Sequence, residues 1–332
     1  MLRVLACGAA FAWMLLSHSV LAQERAVVLM NFTIQGDHGP FFIAKDKGYF
    51  KDAGLDVDIQ RGFGSADTVK KVVAGAADIG FADPVPLVQA VAEGQQVKAI
   101  MGGYMQEPCA LYSTAQDANI KLPKEMEGRS IGGPPGDICI ILLQPVMERA
   151  GADFSKVKVQ NMDAPTRIPL LAAGRIDAAG SFSEKEVLFE KAIKAAGKTM
   201  VTWPYSKYID KYSVMTIVGP RMLAKPDTLR NFTLALLKGY EDAIRGPEAA
   251  ATTILKAHPE FDRDYIVASA KTIDRVVWDS TTRSKGLGML DATKMAATID
   301  LTAKYWSLPR KPAPTEIYTN EFIEWAHAQR KR

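Results

Sequence analysis

Two ionisable side chains, Asp37 and His38, are neighbours between Gly36 and the pair Gly39 and Pro40. Glycine and proline mark a turn, and this one separates a strand-like apolar run from an amphipathic run. A turn that only connects two elements needs neither a carboxylate nor an imidazole. Gly39 and Pro40 also prevent His38 from being an interior helix residue. We therefore interpret Asp37 and His38 as candidate polar contacts for a ligand.

Further candidates follow later strand-like runs, where the loops of α/β proteins carry function. Several keep a structural alternative. Ser65 and Asp83 each precede a predicted helix, so each is a helix cap, a ligand contact or both. The segment 132–137, GGPPGD, is either an anion cradle at a helix N-terminus or a tight turn capped by its aspartate. The candidates are Phe63, Gly64, Ser65, Asp83, Gly136, Asp137, Ser181, Phe182 and Glu184.

The charges of this set indicate a ligand class. His38 is the one potential cation in it, so backbone amides alone would hold a small inorganic anion or a sulfonate against the acids. Carboxylates accept hydrogen bonds, and Phe63 and Phe182 offer flat apolar surfaces. We expect a flat heteroaromatic ligand with amino or ring N–H donors. The acids are Asp37, Asp83, Asp137 and Glu184.

Apolar runs predict the elements that position these loops. Strands and helices alternate from residue 26 to residue 105, which is typical of a mostly parallel α/β sheet. The alternation restarts after the polar stretch 113–128 and continues to residue 203, where it predicts a second sheet. One helix, over 137–151, should kink at Pro145. A strand at 213–219 returns the chain to the first lobe.

An internal echo supports two similar halves. The segments VVAGAADIGFAD and LLAAGRIDAAGSF, 99 residues apart, each combine a helix, a glycine stop, an aspartate and a short strand. We interpret these aspartates, Asp78 and Asp177, as turn formers. Eight residues after the glycines come Asp83 and Phe182, which fall beyond the carboxyl ends of strands. Ligands bind at these ends in open α/β sheets.

The N-terminus predicts export. Residues 1–22 combine a basic start, an apolar run and a small-residue exit, which is typical of a signal peptide cleaved after Ala22. Removal of Arg3 with this segment leaves 40 basic and 37 acidic side chains. This near-balance does not indicate nucleic acid or an anionic membrane as a partner. We expect a periplasmic protein with no membrane insertion after cleavage.

The spacing of the cysteines indicates no metal site, and the sequence lacks the known motifs that would indicate a cofactor or a catalytic residue. After the signal segment only Cys109 and Cys139 remain, without the spacing of a metal site. In an oxidising compartment they could pair, but the sequence leaves this open. Nucleophile-elbow, zinc-protease and phosphate-loop patterns are all missing from the sequence.

Four ordered segments carry a family resemblance. They are HGPFFIAKDKGYFKDAGLDVDI, GFGSADTVKKVVAGAADIGFAD, PKEMEGRSIGG and RIPLLAAGRIDAAGSFSEKE. Together they resemble type II periplasmic solute-binding proteins of ABC importers, in the group that unites nitrate, sulfonate and taurine binders with binders of thiamine-pyrimidine precursors. The resemblance implies two lobes joined by two crossovers, a ligand between them and delivery to an inner-membrane permease. We assign 23–112 and 213–332 to lobe one and 113–212 to lobe two.

The resemblance also bears on the ligand and on the alternatives. The pyrimidine-binding branch has a histidine in its first loop and a glutamate in the ligand loop of lobe two, which His38 and Glu184 match. The usual tryptophan-rich ligand loop is SFSEKE in this chain. The alternatives are an alkanesulfonate, taurine or nitrate binder, a ligand-presenting sensor, or an enzyme similar to the eukaryotic pyrimidine synthase. That synthase carries a cysteine-rich iron-linked run, which this sequence lacks, so we expect no enzyme activity.

Overall fold

The computed structural model describes residues 23–330 of the 332-residue chain. The predicted signal peptide, residues 1–22, lies outside the described residues. Within them, no helix combines the length and the apolar character that crossing a membrane requires.

Ten strands form two sheets of five. The first sheet has the order β2-β1-β3-β10-β4 and the second the order β7-β6-β8-β5-β9. In each sheet one strand, β10 or β5, runs antiparallel to both neighbours, and the other four run in one direction. The strands are β1 (Glu24–Leu29), β2 (Leu55–Gln60), β3 (Ile79–Ala82), β4 (Lys98–Gly102), β5 (Cys109–Thr114), β6 (Ser130–Gly133), β7 (Lys158–Asn161), β8 (Ala178–Phe182), β9 (Met200–Pro204) and β10 (Met215–Val218).

Helices cover both sheets, and the C-terminal third is helical. The α-helices are α1 (Gly39–Asp46), α2 (Tyr49–Asp52), α3 (Ser65–Val73), α4 (Pro84–Ala92), α5 (Ile138–Ile141), α6 (Leu143–Arg149), α7 (Arg167–Ala172), α8 (Glu186–Ala195), α9 (Pro220–Leu223), α10 (Pro226–Arg245), α11 (Pro247–Ala257), α12 (Arg263–Ala270), α13 (Ile273–Val276), α14 (Ser280–Lys285), α15 (Ala292–Tyr305), α16 (Pro314–Ile317) and α17 (Glu321–Arg330). The 3-10 turns are Gly36–His38, Pro123–Met126, Phe154–Lys156, Ala164–Thr166, Ser183–Lys185 and Tyr205–Lys207.

The two sheets define two lobes with separate cores, as the sequence predicted. In lobe one, apolar residues such as Phe41 pack on one face of the first sheet and residues such as Leu87 on the other. In lobe two, Met147 and Phe189 belong to the clusters on opposite faces. Helix α15 contributes to both lobes, because it packs against α4 and also inserts Leu301 into a core of lobe two.

Strand β5 was not predicted and changes the expected lobe boundary. It hydrogen-bonds to β8 and β9 of the second sheet, although its first residues lie before the predicted boundary at 112 and 113. We therefore propose that the chain enters lobe two through 103–108. The predicted kink at Pro145 is confirmed, since the helix is split into α5 and α6 just before this proline.

Asp78 and Asp177, the aspartates of the two similar segments, have the structural role that the sequence indicated. The side chain of Asp78 accepts a hydrogen bond from the backbone N–H of Val27, at 2.8 Å. Asp177 accepts one from the N–H of Ser130, also at 2.8 Å. Each aspartate thus fastens the loop before one strand to the neighbouring parallel strand.

Lobe two carries a covalent link. Cys109 at the start of β5 and Cys139 in α5 form a disulfide, with their Cα atoms 5.5 Å apart. The sequence left this pairing open, because it cannot show the distance between the two residues. The link joins the strand that enters lobe two to the helix that follows Asp137.

Candidate functional site

The turn Gly36–His38 follows the first strand and is docked on α12. The N–H of Gly36 donates to the hydroxyl of Ser269, at 2.8 Å. A Cβ atom at Gly36 would lie 2.0 Å from the carbonyl oxygen of Ile266, so only glycine allows this approach. A helix far along the chain therefore fixes the position of the first candidate residues.

His38 is buried, and both nitrogens of its ring have partners. Nδ1 accepts the backbone N–H of Gln35 at 3.2 Å, which leaves Nε2 to donate to the side-chain oxygen of Asn31 at 3.0 Å. Burial lowers the pKa of His38 to about 3, so the ring is neutral at physiological pH. It therefore holds the turn in place and is not the cation that the sequence offered.

Asp37 is buried with one oxygen free. The hydroxyl of Tyr104 donates to Oδ2, whereas Oδ1 has no hydrogen-bond partner among the described residues. Burial raises the pKa of Asp37 well above its ordinary value, and the nearby charge of Glu184 raises it further. The hydroxyl of Tyr240 is also buried without a partner among the described residues. Burial and the charge of Asp37 raise its pKa. Ten buried side-chain atoms of the described residues lack a partner, and among them we interpret Oδ1 of Asp37, near the charge of Glu184, as the candidate contact for another molecule.

Glu184 reaches the same place from lobe two. It lies in the turn Ser183–Lys185, between β8 and α8, and its carboxyl group is buried. The side chain of Gln35 in lobe one is near enough to offset part of the rise in the pKa of Glu184, and it accepts the hydroxyl of Tyr265 at 2.8 Å. Burial raises the pKa of Glu184. Two carboxyl groups that both disfavour ionisation are thus near enough for the charge of Glu184 to raise the pKa of Asp37.

Asp83 has a structural environment. Its Oδ1 caps α4 by accepting the N–H of Val85 at 2.8 Å, and its Oδ2 pairs with Lys211 at 3.1 Å. Lys211 is buried and also pairs with Glu107, at 2.8 Å. Burial opposes the charge on Lys211, but the two carboxylates more than offset this and raise the pKa of its ammonium group. The hydroxyl of Ser65 accepts the N–H of Asp83 at 3.0 Å, so Ser65 also braces this strand end.

Asp137 is neutralised in the same way. Its Oδ1 caps α5 by accepting the N–H of Cys139 at 2.8 Å, and its Oδ2 pairs with the buried Arg167 at 2.7 Å. Arg167 also donates to the hydroxyl of Ser181, at 2.9 Å. Gly136 lies in the left-handed region, with φ of 75°, in the turn before the cap. This arrangement favours the capped turn over an anion cradle.

The two aromatic candidates differ in exposure. Phe63 is 69% exposed, and the guanidinium of Arg61 lies 4.4 Å from its ring centroid. Gly64 has φ of 125° and donates its N–H to the carbonyl of Asn31 at 2.9 Å. Phe182 is partly buried and packs against a core of lobe two. Phe63 is therefore not buried with Asp37 and Glu184.

The expectation of a cleft with His38 as its only potential cation was wrong. Lys211 and Arg167 pair with two of the four acids, and Lys185 follows Glu184 directly. Sequence reasoning missed these three residues because pairing depends on distance in the fold. Only the K of SFSEKE offered a local signal. The site also needs Asn31, Gln35, Tyr104, Tyr240 and Tyr265, which sequence reasoning did not single out.

A cavity of about 240 Å³ lies beside the turn that carries Glu184. It is lined by the first crossover and by both lobes, including Glu107, Ser183, Glu186 and Arg275. Within residues 23–330 no group of three or more histidine, cysteine, aspartate or glutamate side chains could hold a metal ion.

Solved structures share this fold. The periplasmic aliphatic sulphonate binding protein SsuA from Escherichia coli matches with a TM-score of 0.69 at 12% identity, over 90% of this chain and 99% of that one. The ligand-binding component of an ABC-type import system from Staphylococcus aureus matches at 0.68 and 14%, over 92% and 99%. The nitrate-binding protein NrtA from Synechocystis matches at 0.63 and 10%, over 92% and 89%. The fold is thus the two-lobed α/β fold of periplasmic binding proteins.

A family model and curated relatives assign the chain to one family within this fold class. The chain belongs to the NMT1/THI5-like family, whose model matches residues 35–250. The formylaminopyrimidine-binding protein of Halalkalibacterium halodurans is 21% identical over 243 residues, 72% of each chain. A 4-amino-5-hydroxymethyl-2-methylpyrimidine phosphate synthase of Saccharomyces cerevisiae is 24% identical over 258 residues, 74% of each chain. The relatives thus include both a binding protein and an enzyme.

Proposed function

We propose that this protein is the extracytoplasmic solute-binding component of an ABC importer. It captures a small heteroaromatic, pyrimidine-like compound that carries amino or ring N–H donors. The lobes close over the ligand and present it to a permease in the inner membrane, and no bond is made or broken. The similarity to a formylaminopyrimidine-binding protein and to an ABC import component supports this role.

The free oxygen of Asp37 is the observation that carries the ligand class. In its ionised form this oxygen is an acceptor, buried at the lobe junction near a second buried carboxyl group on Glu184, and a ligand that donates a hydrogen bond to it favours that form. Amino and ring N–H groups are the donors that such acceptors need. Since the two carboxyl groups belong to different lobes, one ligand that contacts both favours the closed arrangement over the open one.

An anionic ligand such as a sulfonate or nitrate is the second candidate. The ammonium of Lys185 and the buried Nε of Arg167, which have no partner in the described part of the chain, favour it. Arg167 is already neutralised by Asp137, however, and an anion would leave Asp37 without a donor. We therefore rank the donor-bearing ligand first.

A binding role is also better supported than catalysis. The synthase relatives make an enzyme the alternative within the family. In the described part of this chain the two cysteines form one disulfide, so neither thiol is free for the iron-linked chemistry of the synthase. His38 has both ring nitrogens engaged in hydrogen bonds that hold its turn, so its ring serves the fold.

A thermal-shift panel on the mature protein tests the proposal. It should contain 4-amino-2-methylpyrimidine and its 5-hydroxymethyl derivative, taurine, an alkanesulfonate and nitrate. A pyrimidine at 100 times its dissociation constant should add about 2.7 kcal/mol to the free energy of unfolding. Glu184→Gln should reduce this shift, whereas the exposed control Glu190→Gln should not. Stabilisation by the anions alone would reject the proposed ligand class.

A further inference from the structure

Lys185 has an unusual position for a lysine. It belongs to the turn that carries Glu184, and its Nζ atom lies 5.0 Å from the ring centroid of Phe32, which follows β1 in the other lobe. It makes no hydrogen bond or ion pair with any residue between 23 and 330. The two buried cations nearby, Arg167 and Lys211, are both paired with carboxylates.

The ammonium of Lys185 lies beside the candidate site, because the residue directly follows Glu184 in its turn and its Nζ atom reaches Phe32 of the other lobe. Burial lowers the pKa of Lys185, and the charges of Glu184, Asp137 and Asp37 oppose this effect. The ammonium is therefore close enough for the charges of acids in both lobes to affect its pKa, although it pairs with none of them. Its Nζ atom is not among the fully enclosed atoms without a partner, so water or a bound molecule supplies its hydrogen-bond acceptors.

We propose that Lys185 is a specificity-determining residue that donates a hydrogen bond to an oxygen substituent of the ligand, a carbonyl or carboxylate oxygen. Asp37 and Glu184 accept hydrogen bonds from the donors of the same ligand, so this inference rests on the proposed function. The cleft then recognises donors and one oxygen acceptor together. A charge-assisted bond of this kind is stronger than a neutral one, so it separates ligands that share a ring but differ in this substituent.

The contact with Phe32 allows a competing role, because a cation above an aromatic ring also stabilises lobe closure. The two roles differ in what they depend on. A closure contact strengthens the binding of every ligand by the same factor. A ligand contact strengthens only the binding of ligands that carry the acceptor oxygen.

Calorimetric titration with two probes separates these roles. The probes are 4-amino-2-methylpyrimidine and the same ring with a 5-carboxylate. The intact protein should bind the carboxylate probe about 10-fold more tightly, because one charge-assisted hydrogen bond is gained. Lys185→Met keeps the apolar stem but should remove most of this preference, with the affinity for the parent ring unchanged. Lys185→Arg should retain part of the preference, and the exposed control Lys191→Met should retain all of it.

Three results would overturn the inference. An equal loss of affinity for both probes in Lys185→Met would assign Lys185 to closure alone. Equal affinity of the intact protein for the two probes would show that the ammonium binds no acceptor oxygen, while the proposed function would stand. Binding of neither probe would reject the proposed ligand class and this inference with it.

Discussion

The two lobes contain the same pair of acidic environments, built on different strands. In each lobe one acid, Asp83 or Asp137, caps the helix directly after a strand and pairs with a buried cation. In each lobe another acid, Asp37 or Glu184, lies on a 3-10 turn inserted between strand and helix. The capped acids are neutralised within the protein. Both acids on the turns are buried where the lobes meet, and neither is paired with a cation from residues 23–330.

The comparison teaches that a short insertion decides the role of an acid. An acid immediately before a helix has N–H groups within reach and becomes a cap. A 3-10 turn carries the acid past these donors and towards the opposite lobe. Four carboxylates that look equivalent in the sequence therefore divide into two structural residues and two that we propose to face the ligand.

The largest expected effect comes from the capped acid of lobe one. Lys211→Met leaves Asp83 and Glu107 buried without their cation, which should lower the free energy of unfolding by about 3–5 kcal/mol. Urea unfolding of the mature protein measures this, with the exposed Lys207→Met as the control. Stability equal to that of the control would mean that Asp83 does not depend on this pair, and the comparison would break.

The next effect concerns the link in lobe two, which has no counterpart among the described residues of lobe one. Replacing both Cys109 and Cys139 by alanine should lower the free energy of unfolding by about 2–5 kcal/mol, because the open chain gains conformational freedom when unfolded. Reductant should destabilise the parent protein by a similar amount and leave the double variant unchanged. An identical response of both proteins to reductant would show that the disulfide does not form.

The acids on the turns should give the ligand-free protein a characteristic pH dependence. Burial raises the pKa of Asp37 and Glu184, so the folded state holds protons that the unfolded chain releases. Stability should therefore fall as pH rises from about 4, the ordinary carboxyl pKa, through the raised values. The double variant Asp37→Asn, Glu184→Gln should lose this decline, whereas a decline of unchanged size would show that other groups cause it.

His38 should act in the opposite direction. Its pKa is lowered to about 3, so as pH falls below 6.5 the unfolded chain binds a proton at His38 and the folded protein does not. Stability should therefore fall as pH falls. Melting temperatures of the double variant with and without His38→Asn across pH 3 to 7 isolate this contribution, since the other titrating groups are common to the two proteins.

The smallest effect is at Ser65, which braces the strand end that carries Asp83. Ser65→Ala removes one hydrogen bond to the N–H of Asp83 and should lower stability by about 1 kcal/mol. Ligand affinity should not change. A large loss of affinity with unchanged stability would instead return Ser65 to the binding site.

Much of the fold could be predicted from the sequence, because apolar periodicity and glycine stops depend on local order. The two lobes, the kink before Pro145 and the structural role of Asp78 and Asp177 follow from such patterns. Strand β5 was missed because its residues, CALYST, follow a strand closely and pair only with strands encountered later in the chain.

The site could be predicted only in outline. The loops that hold Asp37 and Glu184 were found because they follow strands. That these two carboxyl groups lack a paired cation was not predictable. It depends on Lys211 and Arg167, which are distant in sequence and pair with the other two acids. The docking of Gly36 on α12 is likewise a contact between residues more than 200 positions apart.

The central claim is that the ligand is held by the acids on the 3-10 turns of both lobes. The most direct test is the affinity of Asp37→Asn for a pyrimidine that stabilises the parent protein, measured by calorimetric titration. The account predicts a loss of about 30-fold or more, since the amide oxygen takes the Tyr104 hydroxyl and an NH2 group replaces the free acceptor, together with a ligand-free melting temperature at pH 7 no lower than that of the parent. An unchanged affinity would contradict the account.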